Sequence, residues 1–190
     1  RSLEKAMLWV EKYSVNNKGV AVSSAQPSAI YPEVTGYYIP TLLSWGKRAE
    51  AIMFADYLLS IQNPDGSWSD PEGKNSYTFD TGQILKGLLA LVDERLEYRS
   101  AILRGCDWIL TQQREDGSIA TPDYSAWESP TGARTVPEAV HLYALEPLRI
   151  VAKKWDLSKY EECVKRAIDF YLAQPNLTDF THLSHFNAYI

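Results

Sequence analysis

Four stretches of the chain gather the side chains able to move protons. They read Tyr31-Pro32-Glu33-Val34-Thr35-Gly36-Tyr37-Tyr38, Tyr77-Thr78-Phe79-Asp80-Thr81-Gly82-Gln83, Arg134-Thr135-Val136-Pro137-Glu138-Ala139-Val140-His141 and Thr181-His182-Leu183-Ser184-His185-Phe186-Asn187. Glu33, Asp80 and Glu138 supply one carboxylate to each of the first three. His141 and His185 fall in the last two, and all three histidines of the chain lie in these stretches. A carboxyl tuned toward neutrality can act as general acid or base, and a histidine does so with little tuning. These five residues are the catalytic candidates. A structural reading competes with this one. A carboxylate in the first turn of a helix complements its dipole and caps free N–H groups, at about 0.3–1 kcal/mol. Pro137 suits a helix start, and a histidine on an apolar helix can simply be a satisfied core residue.

Each stretch opens a helix. Ile52, Ala55, Leu58, Leu59 and Gln62 recur at helical spacing, as do Ile102, Cys106, Ile109 and Leu110, and Val164, Ala167, Ile168 and Tyr171. These predict amphipathic helices with one wet face. The segments around Ile84–Val92 and Ala139–Val151 are apolar almost all round, so they predict helices buried on every side. The expected helices run from about 2–15, 34–46, 48–62, 78–94, 97–114, 135–154 and 158–174, with another starting near 181. Strand alternation over a useful length is absent. Asp156 and Ser158 are candidate N-caps. Thr35-Gly36 and Thr81-Gly82 place glycine at matching points in two helices. Glycine costs about 1 kcal/mol there against alanine, so its recurrence points to close helix packing, or to open space for a ligand, with packing favoured.

An internal repeat organises these helices. Asp56-Tyr57-Leu58-x3-Gln62-x3-Gly66-Ser67-Trp68 recurs 51 residues later as Asp107-Trp108-Ile109-x3-Gln113-x3-Gly117-Ser118-Ile119. A fainter copy begins at Asp169, and Met7–Val20 carries a degraded one. In each full copy glycine closes the helix. The late Gln can bond the loop or the last carbonyls, and Trp68 or Ile119 can fold back as an apolar plug.

The Gln62–Gly66–Trp68 pattern resembles the Gln–Trp motif of squalene and oxidosqualene cyclases and the prenyltransferase repeat. The alternation of helices is similar to the six-hairpin glycosidase-like (α/α) toroids. The resemblance implies an all-α (α/α) toroid of antiparallel hairpins with alternating inner and outer helices. About four hairpins are expected, in a single domain over residues 1–190, with the C-terminal end of the ring cut short. The chemistry of several relatives is missing from the residues. Asp-x-Asp-Asp, the acid motif of class II terpene cyclisation, does not occur. Neither does the zinc set of protein prenyltransferases. The Gln–Gly–Ser turns also resemble those of complement-type thioester domains, but Gly105-Cys106-Asp107-Trp108 departs from their Gly-Cys-Gly-Glu-Gln motif after two residues.

In such a toroid the inner helices open into a central cup, and the catalytic candidates stand at its mouth. The resemblance therefore implies a glycan or other small-molecule substrate held there. Two carboxylates could flank a sugar ring for hydrolysis. An epimerase or lyase would use His141, His185 or Tyr143 beside a uronate, with Arg134 binding its carboxylate. Tyr37, Tyr38, Tyr77 and Trp127 could pack on pyranose faces, or seal helix contacts with a polar tip at water. A non-catalytic module that binds a glycan or a protein is the alternative, and terpenoid chemistry a third.

Composition narrows the partners. The chain has 190 residues, 45% hydrophobic and 23% charged, with net charge −5 and no basic block, so a nucleic-acid partner is not expected. No apolar run reaches membrane-span length. The first residues form no secretory leader, so a cytoplasmic site is expected. Cys106 and Cys163 fit no zinc spacing. They read as buried thiols, or as a bridge between neighbouring helices. No metal or cofactor is expected, and the oligomeric state is left open.

Overall fold

A computed structural model describes residues 2–122 and 139–175. Among these residues the chain forms seven α-helices and a small sheet. Helix α1 (Ser2–Lys12) is followed by β1 (Ser14–Val15), β2 (Gly19–Ser23) and β3 (Gln26–Ile30). Then come α2 (Pro32–Ser44), α3 (Arg48–Ser60), α4 (Thr78–Leu89), α5 (Leu96–Thr111), α6 (Leu145–Trp155) and α7 (Ser158–Leu172). The fold is the expected one of alternating inner and outer helices. Helices α2, α4 and α6 are inner, and α3, α5 and α7 are outer. The fourth expected hairpin, opening near 181, lies outside the described residues.

Three local expectations are corrected. Strands are present: β1, β2 and β3 form an antiparallel sheet in sequence order, pairing Ser14 with Val20 and Ala21 with Ile30. Its strands are only two to five residues long, too short for alternation to register. The helix expected through 135–154 is broken. A 3-10 segment, Ala139–Ala144, precedes α6, and Pro147 sits in the first turn of α6. Proline lacks an N–H, so it is tolerated in a first turn and not in a continuous helix. Neither Asp156 nor Ser158 is an N-cap. Asp156 ends α6 in the left-handed region (φ 55°), and Leu157 holds the N-cap position of α7.

The inner helices meet backbone to backbone. A Cβ on Gly36 would lie 2.5 Å from Ile84 Cα, and one on Gly87 would lie 2.2 Å from the Gly36 carbonyl oxygen. Pro40, inside α2, cannot donate to that carbonyl. The oxygen is left facing α4, where the Cα hydrogen of Gly87 approaches it. Gly82 packs likewise on Ala144, whose Cβ would be 2.8 Å from an added methyl. The repeated glycines are thus packing devices, as their spacing suggested.

The repeat fastens each outer helix to the next. Gln62 Nε2 donates to Gly66 O within its own turn and to Ala101 O on α5, both at 2.9 Å. Gln113 does the same to Gly117 O at 3.1 Å and to Cys163 O on α7 at 2.9 Å. Gly66 and Gly117 have φ of 98° and 95°. Added Cβ atoms would strike the Arg104 and Arg166 carbonyl oxygens at 2.3 and 2.5 Å. The repeat aspartates reach the same neighbours: Tyr98 donates to Asp56 at 2.5 Å and Tyr160 to Asp107 at 2.8 Å. Trp68 is fully buried and donates Nε1–H to Leu58 O at 2.7 Å, so it is the plug its position implied. Cys106 and Cys163 are both buried free thiols.

Glycine at a left-handed turn pressed on backbone has no tolerant substitute, whereas the Gln contributes two exchangeable hydrogen bonds. Gly117→Ala should therefore cost about 3 kcal/mol. Gln113→Ala should cost about 1–2 kcal/mol. Urea denaturation of the two variants checks this order.

Candidate active site

The close contact of α2 and α4 sets the geometry. Glu33 precedes Gly36 by one turn on α2, and Asp80 precedes Ile84 by one turn on α4. Because Gly36 rests on Ile84, the two carboxyls stand across the same helix interface. Each residue is 8% exposed. Neither makes a hydrogen bond or ion pair with another described residue.

The electrostatics follow from that placement. A helix N-terminus favours a carboxylate by less than one pKa unit, while burial disfavours it by more. Burial, with the charge of nearby Asp70, pushes Asp80 up to about 7. Burial and then the charge of Asp80 push Glu33 up to about 8. Asp80 thus ionises first, and its charge holds the proton on Glu33.

Neighbouring elements complete the surroundings. Tyr31, half-buried at the start of α2, donates its backbone N–H to Val20 O at 2.9 Å and so ties α2 to the sheet. Its phenol is pushed up to about 12 by burial and by Asp80, Glu33, Glu72 and Asp70. Asp70 and Glu72 belong to the loop before α4, which is closed by the Ser69–Ser76 bridge and by Asn75 N–H donating to Asp70 at 3.2 Å. Thr78 N–H donates to Thr121 Oγ1 at 3.2 Å and anchors the start of α4. Gln83 is one turn past Asp80 on the same face of α4. Its buried Oε1 has no hydrogen-bond partner among the described residues. Tyr31, Asp70 and Gln83 were not assigned as site residues from sequence. Only the direct position of Tyr31 before Pro32-Glu33, and the three-residue spacing of Gln83 from Asp80, could have signalled them.

The remaining candidates scatter. Tyr37, one turn past Glu33, is 45% exposed, and Tyr77 immediately precedes α4. Tyr143 lies further along, its ring 5.8 Å from Phe79 and 3.2 Å from Lys86 Nζ. Tyr38 turns the other way, meeting Trp45 edge-on at 5.9 Å beside the pocket under α1. His141 is fully buried, and burial with the charge of Arg114 drives it down to about 3, so it is neutral. Glu138, His185, Trp127 and Arg134 lie outside the described residues. Among the described residues, no group of three or more His, Cys, Asp or Glu side chains could hold a metal ion. None of their helices is long and apolar enough to cross a membrane.

The paired inner and outer helices, stapled by Gln–Gly turns and opening onto two buried carboxyls, define a protein of the (α/α) toroid class. Within that class the chain belongs to the family described as squalene-hopene cyclase C-terminal domain, whose profile matches residues 11–176. Two solved structures share the fold. An alpha-amylase from Clostridium perfringens has a TM-score of 0.63 at 13% identity, over 86% of this chain and 51% of that one. The ent-copalyl diphosphate synthase from Streptomyces platensis has a TM-score of 0.57 at 20% identity, over 86% of this chain and 30% of that one. The chain thus spans about half of the first and a third of the second.

Folding raises both pKa values from their ordinary 4.5 and 3.8. Between about pH 4 and pH 8 the folded chain therefore binds more protons than the unfolded chain, and stability falls as pH rises across that window. The Glu33→Gln/Asp80→Asn variant carries no such charge. Its melting temperature should match the wild type near pH 4 and exceed it by more than about 10 °C near pH 8.5. Calorimetry across that range checks both ends.

Proposed function

We propose that the chain contributes the acid–base pair of a glycan-acting enzyme, with Glu33 as proton donor and Asp80 as base or nucleophile. One observation carries this reading: two carboxyls are buried at the openings of two packed helices, at a cost in stability, without a partner that would make them part of the scaffold. Side chains that weaken a fold and serve no packing purpose are characteristic of sites. A pair whose members ionise at different pH values supports separate acid and base roles. Glycoside hydrolysis needs such a pair, one protonated on the leaving oxygen and one ionised toward the sugar carbon or a water.

The likeness to an alpha-amylase supports a glycan as substrate. The likeness to a copalyl diphosphate synthase supports a terpenoid instead. Against the terpenoid, Asp-x-Asp-Asp occurs nowhere in the chain, and a hydrocarbon offers nothing to the unpaired Gln83 oxygen. Tyr37, exposed one turn from Glu33, supplies a flat face for a pyranose ring.

Catalysis in this scheme requires ionised Asp80 and protonated Glu33. The pH profile of kcat/KM on a turned-over polysaccharide should be a narrow bell centred between about pH 7 and pH 8. Glu33→Gln and Asp80→Asn should each lower kcat/KM by about 10²–10⁴-fold while the fold is kept. A polysaccharide turnover screen of the wild type and both variants tests the proposal. Glycan binding without turnover, unchanged in both variants, would replace it with a non-catalytic binding module. Turnover of an isoprenoid diphosphate and of no glycan would replace it with terpenoid chemistry.

A further inference from the structure

The outer row of helices repeats one polar contact at each step. Between α3 and α5, Arg95 and Tyr98 both donate to Asp56, at 3.0 and 2.5 Å. Between α5 and α7, Lys159 and Tyr160 both donate to Asp107, Tyr160 at 2.8 Å. Lys47, at the N-cap position of α3, donates to Glu11 of α1 at 2.8 Å. Each helix thus offers a carboxylate to its successor. The groups by which α5 grips α3 are Tyr98, Ala101 and Arg104. They recur 62 residues later as Tyr160, Cys163 and Arg166, by which α7 grips α5.

Carried forward by the same 62 residues, Asp107 falls on Asp169. Asp169 is exposed and makes no hydrogen bond or ion pair with another described residue. The apolar positions beside it differ from their counterparts in the same sense. Ala55 on α3 and Cys106 on α5 are fully buried, and Leu59 and Leu110 pack against the core. The matching residues of α7 are Ile168 and Leu172, which are 40% and 74% exposed. A carboxylate and two aliphatic side chains that the preceding copies use against a neighbouring helix therefore face outward on α7. The Gln staple does not recur. Pro175 stands where Gln62 and Gln113 stand in the preceding copies, so this step relies on the aspartate and the apolar pair.

We propose that this face of α7 docks one further α-helix of the outer-row kind. The contact face of that helix carries a tyrosine, a basic residue one or three positions before it, and a small residue three positions after it. The phenol and the cation share Asp169 through charge-assisted hydrogen bonds. The small residue lets the two backbones close, and the following turn covers Ile168 and Leu172. The same seam that joins α3 to α5 and α5 to α7 is thereby continued by one step. The contact involves none of the candidate site residues.

A peptide of residues 95–111, the α5 sequence with Cys106→Ser, is the probe. A lactam bridge between positions 96 and 100, which face water in α5, holds it helical and leaves the gripping face free. Labelled with a fluorophore and titrated with the full chain, it should bind. Asp169→Asn in the chain and Tyr98→Phe in the peptide should each weaken binding by about tenfold. The two changes together should cost far less than the product of the two, because they break the same bond. Leu172→Glu should abolish binding. Both chain positions are exposed, so both variants should melt with the wild type. Failure of the peptide to bind, or binding indifferent to Asp169→Asn and Leu172→Glu, would overturn the proposal. Sedimentation of the chain alone gives the remaining arm. A dimer that Leu172→Glu dissolves would show that a second copy covers this face, and would overturn the proposal as well.

Discussion

The distance between α2 and α4 is set by the absence of side chains. At Gly36 and Gly87 the backbones approach until a single methyl would strike main-chain atoms. No other residue type permits that spacing, and the candidate site depends on it. One turn above the contact, the same approach brings Glu33 and Asp80 together and excludes most of the water that would keep them charged. The chemistry at the mouth is thus a consequence of packing in the wall below.

The outer layer supplies the rigidity that lets this close arrangement persist. Each Gln–Gly turn bonds a carbonyl on the next outer helix, and each repeat aspartate accepts from the next helix's tyrosine. The forces of the two layers differ in kind. The outer helices are joined by directional hydrogen bonds that recur with the repeat, and the inner ones by close contact, with one ion pair, Lys86–Glu146, between α4 and α6. Trp68 and Ile119 close the space between the layers, both fully buried. Stability gathered in this shell offsets the cost of two carboxyls buried without partners.

Much of this was legible in the sequence because it is periodic. The repeat announced the turns, all-round apolarity announced α4, and Glu33 and Asp80 stood out as acids at matching helix openings; the same reading failed for α6, which leaves Glu146, Arg149 and Ile150 exposed. What stayed hidden depends on neighbours distant along the chain. The sheet was missed because its strands are too short to show a period. The break before α6 was missed because Pro147 was read within a continuous helix. Tyr38 resembled Tyr37 in sequence, yet one residue is a rotation of about 100° on a helix, which sends it to the pocket under α1. Gln83 has an ordinary sequence context, and only the unpaired state of its buried oxygen marks it.

The account rests on one claim, that Glu33 and Asp80 form a buried pair holding protons near neutral pH. Side-chain carboxyl carbon NMR, titrated from pH 3 to pH 10 with Glu33→Gln and Asp80→Asn used for assignment, measures this directly. The account predicts midpoints near 7 for Asp80 and 8 for Glu33. It also predicts that the Glu33 midpoint moves down when Asp80 is replaced by Asn. Midpoints at the ordinary values near 4, independent of each other, would contradict it.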